Sequence, residues 1–202
     1  VGKVGRFKLN KKLRLETLNA KENWILTKGD IKETIAYLIR LTQGEGEIDD
    51  IDHLANRRVR CVGELVASTA FRVGLLRLER MVKEKMTLLG SSEGLVPAQL
   101  INARPVIASI NEFFRTSQLS TILDQTNPLS EIDNLRRLTV MGTGGISRER
   151  ASFSIRDINA SQYARIDPVR SPEGPNIGLV TYMTLFARVN EYGFLEAPYR
   201  RV

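Results

Sequence analysis

The sequence contains one cysteine and one histidine, and each scarcity excludes a class of protein. Because Cys61 has no second cysteine to pair with, no disulfide forms within the chain, which excludes a disulfide-stabilised scaffold and favours a reducing compartment. A lone cysteine in an apolar helical pattern is usually a packing residue, so we expect Cys61 to be packed rather than reactive. His53 is the only imidazole, so no histidine cluster supports a metal site or nucleophilic catalysis.

Long apolar runs are also missing. No stretch of about 18 apolar residues is present, and residues 1–16 lack the apolar centre of a signal peptide. We therefore predict no membrane partner and a cytoplasmic location. The chain begins at Val1 rather than at methionine and ends at Val202 inside a strand-like pattern, so we expect a segment of a longer protein.

Positive charge is what the sequence has in excess. The 202 residues include 30 Lys and Arg against 23 Asp and Glu, which gives a formal net charge of +7. A hydrophobic content of 42% and a charged content of 26% are typical of a soluble globular protein with one large domain or two small ones. The excess of cations favours an anionic partner such as nucleic acid, although charge alone does not separate nucleic acid from a membrane surface or an acidic protein.

Helical periodicity dominates the first part of the chain. Thr27 and Asp30 have the spacing of a helix-capping box. The helix that they begin ends near Gly44, and a long second helix is predicted over residues 59–88. The apolar stripe of the first helix consists of Ile31, Ile35, Leu38 and Ile39.

A third helix is predicted from Pro105, because proline suits the first helical turn. Residues 90–94, which precede it, are predicted to form a flexible turn. The stripe that we expect this helix to bury consists of Val106, Ile107, Ile110, Phe113 and Phe114.

The composition changes after Gln118 towards glycine, proline and isolated arginines. Alternation predicts short strands at residues 4–10 and 151–158, and a turn at residues 191–194 leads into a last strand. Residues 176–189 are ambiguous, and a proline at the first turn favours a helix there. Together these patterns predict an α+β fold, with a helix-rich segment followed by an irregular mixed region with short strands.

Two glycine-rich turns, at residues 142–145 and 172–176, stand in an arginine-rich stretch. Four arginines and Glu149 lie between Arg136 and Arg150, a local net charge of +3. Glycine lets backbone N–H groups approach a ligand closely, and the arginine fork suits phosphate oxygens. The stretch therefore indicates a surface that holds a polyanion, and the alternative is a solvated loop whose arginines pair with neighbouring acids.

Two other charged groups leave alternatives open. Arg136 or Arg137 either faces the polyanion or pairs with Glu131 or Asp133. The acids of residues 45–52, next to His53, either hold a metal, form a solvated loop or pair with the following arginines, and the metal site is the least favoured of the three. The acids and arginines concerned are Glu45, Glu47, Asp49, Asp50, Asp52, Arg57, Arg58 and Arg60.

No catalytic set is complete within the chain. The glycines of residues 142–145 lack the strand, helix and distant acid of a nucleotide-binding fingerprint, and Glu173 has no partner for acid–base chemistry. We therefore predict that this chain is not catalytic by itself.

Five motifs occur in one colinear order and carry a specific resemblance. They read IDDIDHLANRRVR at 48–60, FFRTSQLS at 113–120, NPLSEI at 127–132, GTGGISRERASF at 142–153 and SPEGPNIGL at 171–179. In this order they resemble the β subunit of bacterial DNA-dependent RNA polymerase, and the resemblance extends from about Val4 to Val202. It implies three parts: the end of a lobe domain at 1–55, a helical protrusion segment at 56–125 and a fork region at 126–202, with a hinge near the first motif.

The resemblance also implies a role in nucleotidyl transfer from ribonucleoside triphosphates during transcription. The catalytic Mg²⁺ lies on the partner β′ subunit, so no cofactor is expected on this chain. The implied partners are the β′, α, ω and σ subunits, the DNA template, the RNA–DNA hybrid and transcription factors. Residues implied to contact nucleic acid or the incoming nucleotide are Gln118, Arg137, Gly144, Gly145, Arg148, Arg150, Glu173 and Asn176.

The same surface resembles the rifamycin pocket of this family. The positions concerned are Leu119, Ser120, Thr121, Asp124, Asn134, Arg137, Thr139, Arg148, Pro172 and Asn176. Four residues depart from the family pattern: Thr121 replaces Gln, Ile122 replaces Phe, Asn134 replaces His and Thr139 replaces Ser. Since lost donors leave polar groups of the drug unpaired at about 1–3 kcal/mol each, we expect weak or absent rifamycin binding.

Two other functions remain open at this stage. The chain is alternatively a docking module for a transcription factor, or a free-standing basic protein that binds nucleic acid. Docking through apolar contacts would survive high salt, whereas phosphate contacts would weaken steeply.

Overall fold

The computed structural model describes residues 1–90 and 96–202. The fold is α+β, as predicted, and the helices come before most of the strands. The helices are α1 Gly2–Leu13, α2 Lys28–Thr42, α3 Val62–Leu65, α4 Arg72–Leu89, α5 Pro97–Leu100, α6 Arg104–Thr116, α7 Pro128–Leu135 and α8 Phe153–Arg156. The strands are β1 Arg137–Thr139, β2 Val180–Tyr182, β3 Arg188–Val189 and β4 Leu195–Glu196. Apart from Gly90, the turn predicted at 90–94 lies outside the described residues.

The edge strand predicted at residues 4–10 is wrong, because this stretch lies within α1. Its centre is Arg6, which is 1% exposed. The guanidinium donates hydrogen bonds to both carboxylate oxygens of Asp30, at 2.7 and 2.9 Å, and to the carbonyl oxygens of Asn23 and Ile25. These partners lie outside the strand-like stretch, so the local pattern did not contain the contact that fixes it as a helix.

The capping box of α2 is confirmed. The backbone N–H of Asp30 donates to Thr27 Oγ1 at 3.2 Å, and the backbone N–H of Thr27 donates to Asp30 Oδ2 at 2.9 Å. The helix ends at Thr42, before Gly44 with its φ of 85°. The predicted stripe is helical but exposed, with fractional exposures of 47% at Ile31, 52% at Ile35, 55% at Leu38 and 52% at Ile39.

The long second helix is confirmed, with one addition. Between α3 and α4 the chain forms a π-helical segment, Val66–Phe71, which shifts the hydrogen-bonding pattern. The Ala70 carbonyl oxygen there accepts a hydrogen bond from Ser109 Oγ of α6 at 2.8 Å. A side chain at Gly74 would lie 2.9 Å from the Val106 Cα, so glycine allows α4 and α6 to approach closely.

The start of α6 near Pro105 is confirmed, but its buried stripe is only partly so. Ile107 and Phe114 are 56% and 53% exposed, and the buried residue of this helix is Ser109. The small side chain lies at the contact because the close approach of α4 leaves no room for a large one.

The helix favoured for residues 176–189 is wrong, because this stretch forms β2 and β3. Strand β2 pairs antiparallel with β1, in the register Arg137 with Tyr182, and β3 pairs antiparallel with β4. The periodicity of the stretch was ambiguous, and a strand distant in sequence decides its structure. The buried core beneath the strands consists of Leu54, Ile166 and Leu195.

The strand predicted at residues 151–158 is also wrong. The chain forms a 3₁₀ turn at Arg148–Arg150 and then the short helix α8, in which the Asp157 N–H donates to the Phe153 carbonyl oxygen at 3.1 Å. The last strand is confirmed as β4, after a turn in which Gly193 has a φ of 91°.

Cys61 is exposed, contrary to the expectation of a packed side chain. It precedes α3 as its N-cap residue, so its side chain does not belong to the helical face on which the expectation rested. None of the described helices combines the length and apolar character needed to cross a bilayer.

Candidate nucleic-acid interface

The first glycine-rich turn is a tight loop that begins where β1 ends. Gly142 and Gly144 have φ values of 105° and 76°, which favour glycine. The loop closes through hydrogen bonds from the Gly145 N–H to the Gly142 carbonyl at 2.9 Å and from the Ile146 N–H to the Val140 carbonyl at 3.0 Å. A Cβ at Gly145 would collide with the Val140 carbonyl oxygen, so the loop requires glycine for steric reasons too.

This loop is attached to the helical part of the chain. A Cβ at Gly142 would lie 2.6 Å from Leu119 Cδ2, so the loop packs directly on that side chain. Arg60 Nη1 donates to the Thr143 carbonyl oxygen at 3.3 Å, and Arg60 Nη2 donates to Ser68 Oγ at 3.0 Å. Arg60 is therefore a site residue that the sequence reading missed, although the basic run at residues 57–60 contained a signal for it.

The basic run at residues 57–60 is paired with acids, but only the pair of Arg57 with Asp52 matches the alternative left open for the acids of residues 45–52. Arg58 forms two hydrogen bonds of 2.6 Å with the Glu64 carboxylate, and Arg60 Nε donates to the same group at 3.0 Å. These arginines, Arg58 foremost, lower the pKa of Glu64 to about 2. Arg57 lies 3.5 Å from Asp52, and residues 1–90 and 96–202 hold no group of His, Cys, Asp and Glu arranged to bind a metal.

A cavity of about 490 Å³ lies between the glycine loop and the buried core. It brings together five of the predicted site residues, namely Leu119, Arg137, Thr139, Gly144 and Gly145. A second cavity of about 450 Å³, between α4 and α6, brings Gln118 to Gly142 and Thr143 of the same loop. The described residues that line these cavities do not include Arg148, Arg150, Glu173 or Asn176.

The exposed arginines of this region differ from those of the basic run. Arg137 lies on β1, and Arg148 and Arg150 lie on the 3₁₀ turn after the glycine loop. Within the described part of the chain, none of these three guanidinium groups has an ion pair or a side-chain hydrogen bond. They are therefore available to phosphate oxygens without first giving up an acidic partner.

Of the two alternatives left open for Arg136 and Arg137, the described residues do not show the pairing with Glu131 or Asp133. Arg136 donates instead to the carbonyl oxygens of Thr184, Leu185 and Ala187, which follow β2.

Asp133 pairs with Arg170, which the sequence reading missed. Arg170 Nη2 lies 2.8 Å from Asp133 Oδ2, and its guanidinium carbon lies 3.7 Å from the centre of the Tyr182 ring. Hydrogen bonding from Arg170 lowers the pKa of Asp133. Since Tyr182 is the register partner of Arg137, this ion pair connects α7 to the strand pair that carries Arg137.

The second glycine-rich turn leads to Leu179, whose carbonyl oxygen accepts a hydrogen bond of 3.0 Å from the Val140 N–H just before the first turn. Gly174 has a φ of 78°, and the Ile177 N–H donates to its carbonyl oxygen at 3.1 Å. Glu173 is exposed, whereas Asn176 is half-buried. The Asn176 Oδ1 atom is buried and has no hydrogen-bond partner among the described residues.

Most other residues of the predicted drug pocket use their polar groups locally. Ser120 Oγ donates to the Phe113 carbonyl at 3.1 Å, and the Asn134 amide donates to the Ser130 carbonyl at 3.1 Å. Asp124 accepts hydrogen bonds from Thr126, and Thr139 Oγ1 accepts one from the Met141 N–H. Of the remaining two residues, Thr121 is exposed and Pro172 is half-buried.

Two family models match the chain. One is described as RNA polymerase Rpb2, domain 2, and matches residues 1–60, and the other is described as RNA polymerase Rpb2, domain 3, and matches residues 121–189.

Similar full-length proteins carry a consistent name. The chain is 56% identical over 202 residues to the DNA-directed RNA polymerase subunit beta of Myxococcus xanthus, which covers 100% of this chain and 14% of the relative. The protein of the same name in Solibacter usitatus is 53% identical, and the match covers 99% of this chain and 14% of the relative. The protein of the same name in Trichormus variabilis is 54% identical, and the match covers 100% of this chain and 18% of the relative.

The identities hold across the whole chain, and both matched models describe the same polymerase subunit. The chain spans only 14–18% of the length of these relatives. The chain belongs to the family of the bacterial DNA-directed RNA polymerase β subunit, as a segment of that subunit.

Proposed function

We propose that this segment forms part of the wall of the RNA–DNA hybrid channel and active site in a DNA-directed RNA polymerase, which transfers nucleotidyl groups from ribonucleoside triphosphates. The observation that carries the proposal is the cavity that Arg137 shares with Gly144 and Gly145. Arg137 supplies a cation that has no acidic partner among the described residues, and the glycine loop supplies a close backbone surface.

Such a surface suits a polymerase because it does not read sequence. Arginine and backbone N–H groups bind phosphate and sugar oxygens, which are the same at every base pair. An enzyme that moves along its template needs contacts of this kind. Beyond the cavity, the proposed contacts continue along the RNA–DNA hybrid at Gln118 and Arg148. They reach downstream DNA at Arg150 and the incoming nucleotide at Glu173 and Asn176.

The remaining assignments belong to the whole polymerase. We propose that Mg²⁺ is held by the β′ subunit, that the chain assembles with the β′, α, ω and σ subunits, and that the complex acts in the bacterial cytoplasm. We also propose the three parts at residues 1–55, 56–125 and 126–202. The first family match ends at residue 60 and the second begins at residue 121. These boundaries support a division on either side of the segment that contains the long helix and α6.

The fork part also forms the region that resembles a rifamycin pocket, and we propose that it binds the drug weakly or not at all. The Asn134 amide, which replaces an imidazole of the family pattern, donates to a carbonyl within α7. Because the amide of Asn134 already donates within the helix, less of its donor capacity remains for the drug, which supports the proposal of weak binding.

The proposal is tested in polymerase assembled with the full-length β subunit carrying Arg137→Ala and Arg148→Ala together. Stability of the complex with an RNA–DNA hybrid scaffold is measured from low to high salt. We expect the negative slope of log K against log salt to become less steep by about 1–2. Each lost phosphate contact reduces the size of the slope by about 0.9.

The control is a double variant of two exposed arginines outside the cavities, Arg80→Ala with Arg188→Ala, which should leave the slope unchanged. An identical slope in the Arg137 and Arg148 variant and in the unmodified enzyme would contradict the proposal.

A further inference from the structure

Arg156 holds the second glycine-rich turn in place. It ends α8, and its Nη1 donates to two backbone carbonyl oxygens of the turn, that of Pro175 at 2.7 Å and that of Ile177 at 2.8 Å. These two oxygens flank Asn176, so the guanidinium spans the residue whose side chain is proposed to approach the nucleotide. Hydrogen bonds from a charged donor are stronger than those between neutral groups.

The backbones of the two segments also touch. Gly178 has a φ of 73°, and a Cβ at this position would lie 2.6 Å from the Arg156 Cα and 2.6 Å from its carbonyl oxygen. The end of α8 therefore lies against the chain immediately after the turn. No residue with a side chain fits at Gly178 without moving one of the two segments.

The chain that follows the turn is anchored in the core. Leu179 and Val180 are 1% and 2% exposed, and the Leu179 N–H donates to the Asn176 carbonyl oxygen at 3.0 Å. The turn is thus held by Arg156 along its backbone and by the buried residues that follow it. Between these supports, the Asn176 Oδ1 atom is left without a hydrogen-bond partner among the described residues.

We propose that Arg156 is a positioning residue, which fixes the backbone of residues 174–177 so that Asn176 faces the incoming nucleotide. This inference rests on the proposed function, because it assumes that the turn lies beside the nucleotide. Arg156 acts through the turn and does not itself contact substrate.

The test uses polymerase assembled with full-length β carrying Arg156→Ala, Arg156→Lys or Asn176→Ala, or Arg156→Ala with Asn176→Ala. Single-nucleotide addition is measured to separate KM for the nucleotide from kcat. We expect Arg156→Ala to raise KM about tenfold, the scale of one lost charge-assisted hydrogen bond. Arg156→Lys should recover part of this, since an ammonium can still reach one carbonyl.

The double variant distinguishes positioning from a general loss of structure. If Arg156 acts through Asn176, adding Arg156→Ala to Asn176→Ala should change KM by less than twofold. Arg188→Ala, an exposed arginine without a side-chain partner in the described residues, is the matched control and should leave KM unchanged.

Three results would overturn the inference. The first is an unchanged KM in Arg156→Ala when Asn176→Ala raises it, which leaves the proposed function intact. The second is a double variant whose rise in KM equals the product of the rises in Arg156→Ala and Asn176→Ala. The third is an unchanged KM in Asn176→Ala, which removes the proposed role of the turn and this inference with it. If Arg156→Ala does not assemble, the Lys variant and an Arg156→Gln variant decide by the same KM comparison.

Discussion

Three cations of α1 and the exposed arginines near the glycine loop of the fork region (residues 126–202) carry the same charge in opposite surroundings. In α1, Arg6 is buried against Asp30, Lys3 lies 2.7 Å from Glu191, and Lys12 lies 2.8 Å from Asp49. In the fork region, Arg137 and Arg148 are exposed and have no acidic partner within the described residues.

The comparison shows that net charge does not locate a binding surface. A cation that is already paired must give up its acid before it can bind phosphate, so the paired cations of α1 stabilise the fold. The unpaired arginines near a glycine loop cost little to engage, because only water has to be displaced. The excess of +7 predicts an anionic partner, and the pairing decides where that partner binds.

The largest effect is expected when the acid that pairs with a buried cation of α1 is removed. Asp30→Ala leaves the buried Arg6 guanidinium without its carboxylate, and breaking a buried pair should lower the Tm of the chain by on the order of 10 °C. Arg137→Ala, in the fork, should change Tm by less than about 2 °C, since exposed substitutions have small effects. Thermal unfolding followed by circular dichroism measures both, and equal shifts would contradict the distinction.

The next largest effect is expected when hydrogen-bond donors for rifamycin are restored in the fork region. Replacing Thr121 by Gln and Asn134 by His should restore rifamycin binding to the assembled polymerase, by about 1–3 kcal/mol for each donor that finds a buried partner. Inhibition of transcription across a drug titration measures it. Tight inhibition of the unmodified enzyme at ordinary drug levels would refute the proposal of weak binding.

A similar or smaller effect is expected in the glycine loop. Gly145→Ala should destabilise the chain by about 1–3 kcal/mol, because the new Cβ collides with the Val140 carbonyl oxygen. Gly63→Ala is the matched control, since no atom lies within 4 Å of its Cβ position and alanine favours a helix. Urea unfolding should show a loss for the first and no loss for the second, and equal losses would contradict the steric argument.

The smallest effect is the pH dependence of the α1 pair. Hydrogen bonds from Arg6, and then from the Thr27 backbone, hold the pKa of Asp30 well below its ordinary value. Because the folded pKa is depressed, this stabilisation is complete above the unfolded pKa of about 3.9 and is lost as pH falls through the folded pKa. Urea midpoints between pH 5 and pH 2 should fall less in Asp30→Asn than in the unmodified chain, and parallel curves would contradict this.

Local sequence determined the features that depend on neighbours along the chain. The capping box of Thr27 and Asp30, the long helix that follows Cys61 and the proline start of α6 were predictable, because their signals lie within a few residues. The α+β class followed from the same patterns, and five motifs in one order identified the family.

Tertiary contacts decided the rest. Residues 4–10 form a helix around Arg6, whose partner Asp30 is 24 residues away, and the residues of β2 pair with β1, so neither outcome was present in the local pattern. The same holds for the site. The sequence supplied Arg137, Gly144 and Gly145 and gave a signal for Arg60 in its basic run, whereas Arg156 and Arg170 became visible only through their distant partners. A sequence determines how many charges a chain carries, and folding determines which of them are neutralised, because an ion pair depends on distance in space rather than along the chain.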